Sequence, residues 1–177
     1  MLEKRDPYTA GHEKHVAQLA SAIATEMGLS CDRIEGVQLA ARIHDIGKIS
    51  VPAEILCKPG KLSEAEFSLI KAHPTVSHDI LEPIDFPWPI AEIVHQHHER
   101  LDGSDYLRGL YGGQILREAR ILCIADRVEA VASHRPCRPA LGVAAALDEI
   151  TRNARRLYDG EAADACAKLF REGFAFQ

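Results

Sequence analysis

The segment Ala40-Ala41-Arg42-Ile43-His44-Asp45-Ile46-Gly47-Lys48-Ile49 ends an apolar helical run on an adjacent imidazole and carboxylate, then breaks at Gly47. That pair suits a metal: neutral imidazole favours Fe, Mn, Zn or Ni, while a carboxylate favours harder cations and can bridge two of them. A single His-Asp is also what a capped helix end or a surface ion pair looks like, so its meaning depends on partners elsewhere. The chain offers many. Nine His (His12, His15, His44, His73, His78, His95, His97, His98 and His134) sit among 177 residues, and imidazoles that titrate near neutrality are awkward groups for a core to hold.

Helices must position these groups. Over residues 11–27, Val16, Leu19, Ala20, Ile23 and Met27 recur at helical spacing and predict an amphipathic helix that Gly28 ends. A second helix, capped by Ser30 or Asp32, carries Ile34, Val37, Leu39, Ala40 and Ile43 and runs to Gly47. Residues 48–62, with Pro52, Pro59 and Gly60 as breakers, read as a loop. Ser63 and Glu66 form a capping box that starts a short helix to Ala72, and Pro74 suits the first turn of the next. Further helices are expected over residues 90–98, 115–133, 141–150 and 162–170. Residues 99–113, with Gly103, Gly109, Gly112 and Gly113, read as a long functional loop. The expected fold is all-α: one bundle of about seven helices over residues 1–177, without repeats or low-complexity tracts.

Composition narrows the partners. The chain is 46% hydrophobic and 27% charged, as a globular domain is, and its net charge is −5 without any run of Lys and Arg. A nucleic-acid polymer is therefore not an expected partner, and a small anionic substrate would need local cations. Five scattered Cys without a C-x-x-C spacing read as reduced thiols in a cytoplasmic chain. No apolar stretch approaches membrane-spanning length and no secretory signal pattern is present, so membrane insertion is not expected. The start, Met1-Leu2-Glu3-Lys4-Arg5, runs abruptly into site-like sequence and reads as a domain excised from a longer regulatory protein.

The imidazoles and carboxylates fall at related places. His12 starts the first helix, His44 and Asp45 end the second, His73 precedes Pro74, His97 and His98 end a later apolar run, and Asp126 follows Ile121-Leu122-Cys123-Ile124-Ala125. Such positions can converge on one interior dinuclear site in a helical bundle, and a buried Asp126 needs a charged partner or a metal. Spacing leaves a plainer reading open, in which His73 and one of His97 and His98 are hydrogen-bonded core residues and Asp126 meets an Arg.

Several ordered motifs together resemble the HD-GYP family, a bacterial branch of the HD metal-dependent phosphohydrolases. The similarity runs from Asp6 to Phe170. It includes Asp6-Pro7-Tyr8-Thr9-Ala10-Gly11-His12, His44-Asp45-Ile46-Gly47-Lys48-Ile49, Ile55-Leu56-Cys57-Lys58-Pro59-Gly60-Lys61-Leu62, His97-His98-Glu99-Arg100-Leu101-Asp102-Gly103, Ala119-Arg120-Ile121 with Ala125-Asp126, and Ser133-His134-Arg135-Pro136. The resemblance implies an HD-domain-like bundle that hydrolyses cyclic di-GMP to linear di-GMP in bacterial second-messenger signalling, and leaves open whether a second cut to GMP follows. It also implies two divalent cations, iron or manganese. His12, His44, Asp45 and Asp126 match the ligands of one, and Asp45, His73, His97 and His98 those of the other, with Asp45 bridging. Two cations about 3.5–4 Å apart can activate water and clamp phosphoryl oxygens during in-line displacement. Lys48 matches a phosphate-contacting Lys and joins Asp45 as a catalytic residue. Arg135 and Arg138 match ligand contacts, for which the planar guanidinium is suited. A second copy of the chain or a diguanylate cyclase is the protein partner the resemblance suggests.

The departures are specific. Tyr8 stands where some members carry a Glu for a third metal, which favours a two-metal centre. Asp105-Tyr106-Leu107 replaces Gly-Tyr-Pro, removing easy positive φ and a fixed φ, so a looser loop is expected. Ser77 replaces a usual Gly, and Cys137 a usual Tyr. Two other functions compete: a catalytically weak receptor for a cyclic dinucleotide or partner protein, and an HD hydrolase acting on another nucleotide.

Overall fold

The stripe of Val16, Leu19, Ala20 and Ile23 buries one face of α1 (His12–Glu26) completely, each larger side chain contributing about 1.5–3 kcal/mol. A computed structural model describes residues 11–104, 108–133 and 141–177 of the chain. Ser30 caps α2 (Cys31–Ile43), its Oγ accepting from the Arg33 amide. A 3₁₀ turn at Ile46–Ser50 straddles the expected end of the second helix and the start of the expected loop, and within that loop lies the single helical turn α3 (Ala53–Leu56), which Pro52 precedes. The Ser63–Glu66 capping box is formed and starts α4 (Glu64–Lys71). Pro74 lies in the first turn of α5 (His73–Leu81). Then come α6 (Ile90–Gln96), the long α7 (Arg117–Ala132), α8 (Val143–Arg152) and α9 (Gly160–Arg171), the last capped by Asp159 through the Ala162 amide. Among the described residues the only β-type pairings are two isolated bridges, so the expected all-α class holds.

Helix α1 packs against α2, α7 and α9, while α5 packs on α6 and on the 3₁₀ turn. Two boundaries differ from the periodic pattern: α2 stops at Ile43 and α6 at Gln96, ahead of Gly47 and His98. The reason is local. The ring nitrogens of His44 and His97 turn back on the carbonyls of Ala41 and Val94, occupying acceptors that the ends of these helices leave unsatisfied.

The segment after His98 is tied at its ends. The Glu99 carboxylate accepts the amides of Arg108 and Leu110, Gly112 N donates to Leu101 O, and the Arg120 guanidinium donates to the carbonyls of Gly112 and Ile115. Asp105, Tyr106 and Leu107, on which the expectation of a looser loop rests, lie outside the described residues.

Candidate metal centre

Three helices and two helix junctions bring all seven expected ligands to one place. His12 is the first residue of α1, His44 and Asp45 join α2 to the 3₁₀ turn, His73 opens α5, His97 and His98 follow α6, and Asp126 lies mid-way along α7. One device recurs. Nδ1 of His44, His73 and His97 each lies 2.6–2.8 Å from the carbonyl three residues earlier: Ala41, Ile70 and Val94. A carbonyl only accepts, so each Nδ1 carries a proton, and whenever the ring is neutral its Nε2 has a lone pair for a cation.

The seven side chains form two groups around Asp45. His12 Nε2 and His44 Nε2 lie 3.3 and 3.8 Å from Asp126 Oδ1, and 3.8 and 3.6 Å from Asp45 Oδ2. On the other side, His73 Nε2 lies 3.2 Å from Asp45 Oδ1, and donors of His73, His97 and His98 all fall within 4.8 Å of one another. Asp45 thus turns one oxygen to each group. His12, His44, Asp45, His73 and His97 are all buried, and Nε2 of His12, His73 and His97 has no hydrogen-bond partner. Each such atom costs about 1–3 kcal/mol if nothing meets it. Such atoms on both sides of an ionised Asp45, with Asp126 beside the first group, fit divalent cations. The plainer reading of His73 and His97 as satisfied core residues accounts only for their Nδ1 atoms.

Electrostatics sets the right protonation for most of these groups. Burial opposes ionisation of Asp45, but Lys48 and the rings of His44 and His73 hold its carboxyl well below the usual range. Asp126 is likewise held low against its burial by His12 and His44. Burial, reinforced by neighbouring His98, His44 and His73, keeps His97 neutral, and burial pushes His98 down to about 3. His12 is the exception. Burial would lower it, yet Asp126 and Glu129 lift it to about 9, so a cation at its Nε2 must displace a proton.

Lys48 rises from the 3₁₀ turn, and its Nζ lies 2.5 Å from Asp45 Oδ2. It borders a cavity of about 270 Å³ lined also by His73, His98, Arg100, Asp126 and Arg127. Arg135, Arg138 and Tyr8 lie outside the described residues. Two buried side chains that periodicity did not single out complete the centre. Glu129 Oε2 bonds His12 Nδ1, and its Oε1 accepts from Ser133 Oγ. Its signal was present: Glu129 stands three residues after Asp126, on the same face of α7. Ser77 Oγ donates to His44 O and accepts from Gly47 N, stitching α5 to the junction that carries Asp45. That seam explains Gly47. A Cβ there would lie 2.1 Å from His73 O and 2.6 Å from Ser77 N, so the requirement is for space.

The HD-domain family model matches residues 1–162. A cyclic di-GMP phosphodiesterase of Thermotoga maritima is 40% identical over 174 residues, 97% of this chain and 47% of that protein. The 3'3'-cGAMP-specific phosphodiesterase 3 of Vibrio cholerae is 38% identical over 169 residues, 95% of this chain and 36% of that protein. The chain thus spans less than half the length of these curated relatives. Among solved structures, the HDG"Y"P protein Bd1817 of Bdellovibrio bacteriovorus superposes with a TM-score of 0.74 at 18% identity, covering 90% of this chain and 51% of that one, a likeness of fold. With a family model matched along nearly the whole chain, and its His and Asp gathered as described, the protein belongs to the HD-domain family.

Proposed function

We propose that this domain is a metal-dependent phosphodiesterase that opens cyclic di-GMP to linear di-GMP. The observation that carries the reading is Asp45, whose two oxygens face two separate groups of imidazoles, among which Nε2 of His12, His73 and His97 has no hydrogen-bond partner. His12, His44 and Asp126 would hold one cation and His73, His97 and His98 the other, with Asp45 shared; iron or manganese suits this mixture of imidazole and carboxylate. When bound, two such cations supply acidified water and neutralise charge on phosphoryl oxygens.

The chain's own residues do the rest. Second bonds from the Ala41, Ile70 and Val94 carbonyls and from Glu129 fix the ring orientations, so little reorganisation accompanies the reaction. Lys48 places an ammonium at the cavity wall, where it contacts the phosphoryl group and stabilises the charge that develops as water adds to phosphorus and the 3′-oxygen leaves with a proton. Arg100 lines the same cavity and offsets part of the repulsion between an anionic dinucleotide and a chain of net charge −5, whereas Arg127, also in the lining, is paired with Glu149. The relatives' names support a cyclic dinucleotide and divide between cyclic di-GMP and cGAMP. Action in the cytoplasm belongs to the same reading and rests on five scattered Cys without a C-x-x-C spacing. A second copy of the chain or a diguanylate cyclase remains the proposed protein partner.

The test is chromatography of products after the manganese- or iron-loaded domain meets cyclic di-GMP, cGAMP and cyclic di-AMP. Linear di-GMP that appears with metal and disappears with chelator is the expected result. Binding of cyclic di-GMP without cleavage would favour the receptor reading, and turnover of another dinucleotide alone would overturn the substrate.

A further inference from the structure

Away from the centre, α5 and α6 carry a second gathering of metal-binding side chains. His78 of α5 and His95 of α6 have ring centroids 4.6 Å apart, and donor atoms of His78, Glu92 and His95 all lie within 4.8 Å of one another. The Glu92 carboxylate is held in place: Gln96 Nε2 and Arg108 Nη1 both donate to Oε1 at 2.6 Å. That leaves Oε2 directed toward His78 Nε2 at 3.9 Å, too far for a hydrogen bond. His78 Nδ1 faces Asp79 Oδ1 at 3.4 Å, so Nε2 is the nitrogen turned to the group. His95 Nδ1 is buried without a partner, and its Nε2 only brushes Thr75 Oγ1 at 3.5 Å.

We propose that His78, Glu92 and His95 form a separate site for a borderline transition cation such as zinc, nickel or copper(II). Two imidazoles and one carboxylate are the donor set such ions take in three-ligand sites, whereas magnesium and calcium take oxygen. The spacing agrees. Bonds of about 2.0–2.1 Å in a tetrahedral site put donors roughly 3.3–3.4 Å apart, and the 3.9 Å between His78 Nε2 and Glu92 Oε2 closes by a small side-chain rotation. Side-chain exposures of 26% for His78 and 35% for Glu92 leave an open path for the ion and room for water as the fourth ligand. The cation would join α5 to α6. Because α5 begins at His73 and α6 runs into His97, it would brace the two helices that carry the three-imidazole group.

The site does not depend on the phosphodiesterase reading, and zinc itself is the probe. The protein and its His78→Gln and His95→Gln variants are dialysed against zinc and analysed for metal per chain. Each variant is expected to hold one zinc fewer than the parent, and to lose part of the zinc-induced rise in Tm. A second measurement needs no variant: in the parent protein, zinc should protect His78 and His95 from carbethoxylation, read peptide by peptide by mass spectrometry. Equal zinc counts in parent and variants, or modification of both His at the same rate with and without zinc, would overturn the proposal.

Discussion

Gly47→Ala tests how closely the fold and the centre are joined. Gly47 is absent from the positive-φ glycines, so alanine meets no backbone penalty there and the whole cost is steric. The new Cβ would sit 2.1 Å from His73 O, 2.6 Å from Ser77 N and 2.7 Å from Ser77 Oγ. A carbon–oxygen contact relaxes only near 3.3 Å, so the first turn of α5 must retreat by roughly 1 Å. Two of the three clashing atoms are backbone, so no rotamer change relieves them. Overpacking of this kind costs about 1–3 kcal/mol. For a domain of this size, where about 2–4 °C accompanies each kcal/mol, the Tm should fall by roughly 2–12 °C. The chemical effect should be larger. His73 moves with the turn, away from Asp45 Oδ1 at 3.2 Å, and a misplacement of about 1 Å can cost on the order of 100-fold in rate. Differential scanning calorimetry and steady-state kinetics on the metal-loaded variant measure both. A variant with the parent's Tm and turnover would show that the seam between the 3₁₀ turn and α5 does not set the geometry of the centre.

Other outcomes follow from single contacts. Lys48→Ala should leave the metal content intact while lowering kcat/KM by roughly 10- to 150-fold, the worth of about 1.5–3 kcal/mol for a hydrogen bond to a charged group; unchanged kinetics would return Lys48 to a structural role beside Asp45. Glu99→Ala strips the acceptor from the Arg108 and Leu110 amides, so protease nicking within residues 100–113 should rise and stability should fall by about 1–3 kcal/mol, as denaturant titration would reveal. In the metal-free protein, His12 is raised from 6.5 to about 9. Its stabilising contribution is therefore full below pH 6.5 and lost as pH climbs through 9, so the Tm of chelated protein should decline across that window and Glu129→Gln should flatten the decline. Identical pH profiles for Glu129→Gln and the parent would show that Glu129 does not hold the His12 proton.

Much of this was legible because residue type and spacing carry it. Ser63 and Glu66 announce a capping box by their separation alone, and the structure forms it. His12, His44, Asp45, His73, His97, His98 and Asp126 stand out as polar groups next to apolar helical faces, and the structure gathers all seven. What spacing could not convey is approach through space. Gly47 read as a helix breaker, yet its absent side chain makes room for the backbone of α5. Ser77 read as a departure from a motif, yet its hydroxyl joins two elements 30 residues apart in sequence. Helices α2 and α6 end early where an imidazole takes up one of their last carbonyls, which periodicity of apolar residues cannot report. His78, Glu92 and His95 become neighbours only once α5 lies on α6.

The most direct measurement is the iron and manganese content per chain of anaerobically purified protein and of its Asp45→Ala variant. One carboxylate serves both imidazole groups, so the parent should carry two such ions and the variant should lose both or hold them far more weakly. Three iron or manganese ions in the parent, or two that survive the loss of Asp45, would contradict a dinuclear centre built around that residue.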